Sequence, residues 1–248
     1  MLVLEQIYHF GLFGYFSNGA EFSIAVFMLL CAASVILCIC AGYFLGSINT
    51  SIIISKLFFS EDIRNYGSGN AGMTNVLRTY GKKSAALTLI GDVLKTVLAV
   101  LIGRFIGFPV IFFSSKAYIV PLGAYIAALF AVIGHTFPIY YKFKGGKGVL
   151  CAATAVCMLS PSTFLVLFII FAIIVLGMKY VSLGSIIAVM AYPIILDRLN
   201  GHSVGTFIAF IIGALVVYNH RENIKRLLEH KENRLSIGKK GKSKDEQK

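Results

Sequence analysis

Long apolar runs separated by short polar stretches set the pattern of this chain. The first run covers residues 22–48, enough for the ~20 helical residues that cross a ~30 Å hydrocarbon core. Its helix is expected to run on through Asn49-Thr50-Ser51 to Lys56 as a polar-faced end. Further spans are predicted at about 84–108 and 117–140. The apolar stretch 149–178 is too long for one ordinary span and is cut by Ser160-Pro161-Ser162, so it reads as a hairpin of a short helix and a full one. Spans at 182–196 and 204–219 complete a count of seven. Residues 1–21 stand apart as an N-terminal extension, 22–226 form the membrane unit, and 227–248 read as a basic, disordered cytoplasmic tail.

Composition agrees with this all-α, polytopic reading. The 248 residues are 57% hydrophobic and 14% charged, with a mean hydropathy of +0.81, far more apolar than a soluble domain. The formal charge of +12 is no nucleic-acid signature, because the cations sit in loops and in the tail. With seven spans, nineteen of the 23 Lys and Arg fall on one side. The positive-inside rule then puts the N-terminus outside and the C-terminus in the cytoplasm. Five cysteines, all in apolar runs and none in a CxxC pair, read as small buried hydrophobes. Residues 1–22 lack the basic segment of a signal peptide. Asp92 and Lys95, three apart within the second span, are expected to pair.

Three polar segments share the cytoplasmic side. The first, DIRNYGSGNAGMTNVLR at 62–78, combines Gly67, Gly69 and Gly72 with Arg64 and Arg78, so that backbone amides beside cations could hold a phosphate. The second, GHTFPIYYKFKGGKG at 134–148, opens a helix with Gly145-Gly146-Lys147-Gly148 and repeats the theme. It lacks the spacing and the Ser/Thr of a Walker A loop. The third, HRENIKR at 220–226, sets His220 and Asn223 on one helical face, with Glu222 and Arg226 spaced to pair. Ser182 and Ser185 add hydroxyls on the same side.

These three segments, in this order between apolar spans, closely resemble the bacterial acyl-phosphate:glycerol-3-phosphate acyltransferases, the PlsY family, over residues 42–226. The resemblance implies a bacterial inner-membrane enzyme of seven transmembrane helices with its active site at the cytoplasmic face. It implies transfer of a fatty acyl group from acyl phosphate to glycerol-3-phosphate, giving lysophosphatidate, the first step of phospholipid synthesis. The implied partners are glycerol-3-phosphate, acyl phosphate and the bilayer, with no nucleic acid, cofactor or metal. Carried over by motif, Ser68, Arg78, His220 and Asn223 are the candidate catalytic residues, and Glu222 the structural one. Gly67, Gly69, Asn70, Asn75, Lys144, Gly145, Gly146, Lys147, Gly148 and Ser182 are candidates for substrate binding. A serine pair common in the family is reduced here to Ser182, with Val181 beside it.

Chemistry constrains the roles further. Arg78 and Lys147 would neutralise phosphate, Asn70, Asn75 and Asn223 would orient glycerol hydroxyls, and His220 would act as general base or position the hydroxyl, with the acyl phosphate itself as the alternative proton acceptor. No histidine has an Asp five residues on, which excludes the HxxxxD acyltransferases, and nothing in the spacing builds a serine triad on Ser68. An organic-phosphate transporter is the rival reading, but the chain shows no internal repeat.

Overall fold

The computed structural model describes residues 24–107, 109–110, 120–201 and 204–234. Among the described residues there are ten α-helices: α1 (Ile24–Ser47), α2 (Thr50–Phe59), α3 (Met73–Tyr80), α4 (Lys82–Ile106), α5 (Leu122–Thr136), α6 (Val149–Leu159), α7 (Pro161–Met178), α8 (Val181–Asn200), α9 (Val204–Asn219) and α10 (Arg221–Leu228). Single 3-10 turns lie at Ile63–Asn65 and Ile139–Tyr141, and a two-residue antiparallel pair joins Pro109–Val110 to Val120–Pro121.

Among the described residues an α-helix lies within each of the seven apolar stretches, the third of them only from Leu122 to Thr136. Among the described residues five stretches are long and apolar enough to cross a membrane, counting α1 with α2, and the α9–α10 pair, bent by 57°, makes a sixth if taken as one. The eleven residues of α6 rise about 16 Å, roughly half the hydrocarbon core. The hairpin break falls at Ser160, with Pro161 as the first residue of α7, where its missing N–H costs nothing.

The expected continuous helix past Ile48 is broken instead. Asn49 turns to extended backbone, and its side chain accepts from the Ile52 amide, capping a new helix. Other boundaries also move. The sixth span continues to Asn200, and the line drawn between 226 and 227 falls inside α10. The cysteines are all free, but only Cys38 and Cys151 are buried; Cys40 and Cys157 are exposed on the outer helix surface. The N-terminal extension and the tail beyond 234 lie outside the described residues.

Packing explains why the helix ends converge. Gly42 and Gly46 of α1 lie against the backbone of Ala127 and Ala131 in α5, where a Cβ would overlap the carbonyl oxygens. Small residues at four-residue spacing let apolar helices approach closely without a solvent-driven force. On the far side of α5, Tyr125 and Val132 meet Cys151 of α6, Tyr192 of α8 and Ile212 and Val216 of α9 in one core. α5 is therefore the central post, and the loop that leaves it meets Tyr43 and Ser47 of α1 and Val216 of α9.

Candidate active site at the loop-bearing end

The 62–78 loop is built by its own polar side chains. Buried Asn75 donates through Nδ2 to the carbonyls of Ile63, Tyr66 and Asn70 (3.2, 2.9 and 3.1 Å) and accepts the Ser68 amide at 2.9 Å through Oδ1. Arg64 grips Asp62 with Nε and a terminal nitrogen (2.9 and 2.6 Å) and donates to the carbonyls of Tyr141 and Lys144 (3.0 and 3.1 Å). One guanidinium thus ties the first glycine loop to the second. Gly67 and Gly69 carry positive φ angles of 59° and 69°, which only glycine accepts readily.

Beneath the second loop sits a buried polar cluster. The Lys95 ammonium donates to Asp92 Oδ1 (2.8 Å), to the Ile48 carbonyl freed by the helix break (2.7 Å) and to His135 Nδ1 (3.0 Å). An ammonium only donates, so His135 Nδ1 accepts and its proton sits on Nε2. Thr50 Oγ1 adds a 3.2 Å bond to Asp92. The expected Asp92–Lys95 pair is present, and His135 is a member the pattern of charges did not reveal. The Gly145 and Gly146 amides donate back to the Thr136 and His135 carbonyls (3.1 and 3.0 Å). A Cβ on Gly146 would overlap the His135 ring and the Ala71 carbonyl.

The convergent centre lies above. Lys147 Nζ donates to Asn223 Oδ1. Asn223 Nδ2 donates to Glu232 Oε1 (2.7 Å), Ser182 Oγ donates to the same oxygen (2.8 Å), and Arg226 Nε donates to Glu232 Oε2 (2.8 Å). Burial, reinforced by the positive field of Arg226 and Arg78 against the pull of Glu232, pushes the Lys147 ammonium down to about 8. Burial pushes the Glu232 carboxyl up, yet the hydrogen bonds from Arg226, Asn223 and Ser182 outweigh it and hold the group below the usual carboxylate range. His220 is buried beside this network, its Nδ1 donating to the Val216 carbonyl at 2.7 Å. A carbonyl only accepts, so the proton is on Nδ1 and Nε2 is left with its lone pair.

Several expected site residues take other parts. Asn75 holds the loop backbone through its amide protons and one lone pair of Oδ1, which makes it a positioning residue of the loop. The amides of Ser68, Gly69, Gly72, Gly145 and Gly146 bond within the protein, half of the amides at 67–72 and 145–148. Among the described residues, Gly67, Asn70, Ala71, Lys147 and Gly148 keep amides without a protein acceptor, the last two just ahead of α6. Lys144 is exposed, and its carbonyl serves Arg64. Ser68 is exposed and its hydroxyl bonds no histidine, while Asn70 contributes carbonyl bonds to the loop. Ser185 turns to the Val181 carbonyl. Arg226 pairs with Glu232, and Glu222 is exposed. Lys147, His220, Asn223 and Ser182 do come together, with Arg78 within electrostatic reach. Glu232, missed from sequence, is their hub.

Residues 36–230 match the family model for glycerol-3-phosphate acyltransferase. A glycerol-3-phosphate acyltransferase of Clostridioides difficile (strain 630) is 41% identical over 198 residues, covering 78% of this chain and 92% of that protein. One from Neisseria meningitidis serogroup C is 38% identical over 197 residues, covering 79% and 95%. The fold is similar to crystal structures of PlsY (YgiH), an integral membrane glycerol 3-phosphate acyltransferase. Its glycerol 3-phosphate form superposes with a TM-score of 0.73 at 38% identity, and its lysophosphatidic acid form with 0.69 at 37%; each covers 82% of this chain and 96% of the other.

Proposed function

Because the chain belongs to the glycerol-3-phosphate acyltransferase family, we propose that it transfers a fatty acyl group from acyl phosphate to the sn-1 hydroxyl of glycerol-3-phosphate, releasing lysophosphatidate and inorganic phosphate. The observation that carries this reading is the convergence of Lys147, Asn223 and Ser182, from three separate segments, beside buried His220 and within reach of the Arg78 charge. Two phosphates must be brought together here, and clustered cations lower their repulsion.

Acyl phosphate is a mixed anhydride, already activated, so no covalent enzyme intermediate is needed. The glycerol oxygen attacks the acyl carbonyl, a new C–O ester bond forms, and the acyl–phosphate C–O bond breaks. The hydroxyl proton passes to His220 Nε2 or to the departing phosphate. Lys147 and Arg78 neutralise phosphate oxygens, and the two amides opening α6 add donors where the helix dipole favours an anion. The acyl chain lies among the apolar helices, and the product leaves sideways into the bilayer.

The protein works in a bacterial cytoplasmic membrane, with seven spans, its N-terminus outside and its active site facing the cytoplasm, supported by the one-sided distribution of Lys and Arg. The purified protein is expected to turn over glycerol-3-phosphate with palmitoyl phosphate. Robust turnover with palmitoyl-CoA and none with palmitoyl phosphate would overturn the donor assignment.

A further inference from the structure

We propose that Glu232, in the segment following α10, is a positioning residue that sets the hydrogen-bonding polarity of the substrate pocket, so that Ser182 and Asn223 recognise a glycerol hydroxyl and not a phosphate oxygen. The inference rests on the preceding functional reading. Glu232 lies beyond the residues matched to the family model and in none of the three motifs. Its side chain is nonetheless only 6% exposed, the more buried member of its ion pair with Arg226.

The logic is one of donors and acceptors. An ionised carboxylate only accepts. Ser182 has a single hydroxyl proton, and it goes to Glu232 Oε1. What Ser182 offers a substrate is therefore lone pairs, which suit a hydroxyl donor and repel a phosphate oxygen. Asn223 is oriented by the same atom, because the side facing Glu232 must be Nδ2, which turns Oδ1 to Lys147. Lys147 is thereby held on the phosphate side of the pocket and Ser182 on the hydroxyl side. The charged and titratable groups facing this centre are Arg226 and His220 from the third segment, Arg78 from α3 and Lys147 from the start of α6.

The test uses the full-length purified enzyme, comparing Glu232→Gln and Glu232→Asp with wild type. Glycerol-3-phosphate binding is measured by calorimetry beside that of 1,3-propanediol phosphate, which lacks the secondary hydroxyl. Wild type should prefer glycerol-3-phosphate. Glu232→Gln must present an N–H to at least one donor, so it should weaken glycerol-3-phosphate binding on the order of tenfold and narrow the preference over the deoxy analogue. It should also move the alkaline limb of kcat/KM to lower pH, since the negative charge that supports the Lys147 ammonium is gone. Glu232→Asp should restore part of both. A merely structural glutamate predicts a lower melting temperature with unchanged discrimination and an unchanged alkaline limb, and that result overturns the inference. No binding of glycerol-3-phosphate by wild type would overturn the substrate assignment itself; normal wild-type binding with an unaltered Glu232→Gln overturns this inference alone.

Discussion

His220 shows how the backbone can fix a residue's chemistry. With Nδ1–H committed to Val216, only Nε2 can receive a proton or hold the attacking hydroxyl. His220→Ala, in protein that inserts correctly, should lower kcat by about 10²–10⁴-fold, and a kcat near wild type in steady-state assays would remove His220 from the chemistry. Lys147 makes a prediction of known sign. Its role requires the ammonium, which burial pushes down to about 8, so kcat/KM for glycerol-3-phosphate should decline as pH rises through that region. Lys147→Arg should carry the decline beyond the accessible range. Lys147, His220 and Asn223 were legible because each lies in a long polar motif at the end of an apolar run, and Ser182 because its hydroxyl opens a span on the same side. Asn75 was legible as polar but not as architectural, since no spacing rule says that its amide faces three carbonyls of its own loop. Glu232 was hidden by its surroundings: one of four acids in a lysine-rich tail, it carries no periodic or motif signal.

Among elements, the glycine loops change meaning. From composition they are phosphate cradles; in the fold half of their amides bond within the protein, and the thin backbone also allows two segments and a histidine to touch. Gly146→Ala should therefore act through displacement of His135 and the 67–72 loop, lowering the melting temperature as well as kcat/KM, where a pure phosphate donor would leave stability unchanged. Arg64→Ala should loosen both loops together, read as faster hydrogen exchange across 62–78 and 139–148 in one variant. The cluster below them carries its own expectation. Lys95→Met leaves the Asp92 carboxylate buried with half its support and should cost about 3–5 kcal/mol, whereas Asp92→Asn with Lys95→Met should cost less, measured by thermal unfolding in detergent. Sequence showed Asp92 and Lys95 because their spacing is local; His135 comes from another helix and only packing joins it to them.

For the whole molecule, the apolar runs and the Ser160-Pro161 interruption made the helix inventory readable, since burial in lipid demands long uninterrupted helices. The break after Ile48 was only partly readable: Asn49 is a local capping residue, but the carbonyl the break frees is met by Lys95, 47 positions onward. Cysteines placed at Ser17 and Ser243 of a cysteine-free version should label from opposite sides of sealed cells; labelling from one side would falsify the seven-span arrangement. The Lys95 bond to Ile48 also has a consequence for biogenesis. Until Lys95 is synthesised only water or the Ile52 amide of a continued helix can meet that carbonyl, so the nascent first span should run on past Asn49 and break once α4 arrives. Chains stalled between Asn49 and Lys95 should then show amide protection unbroken through Ile52, where the full-length protein shows an interruption.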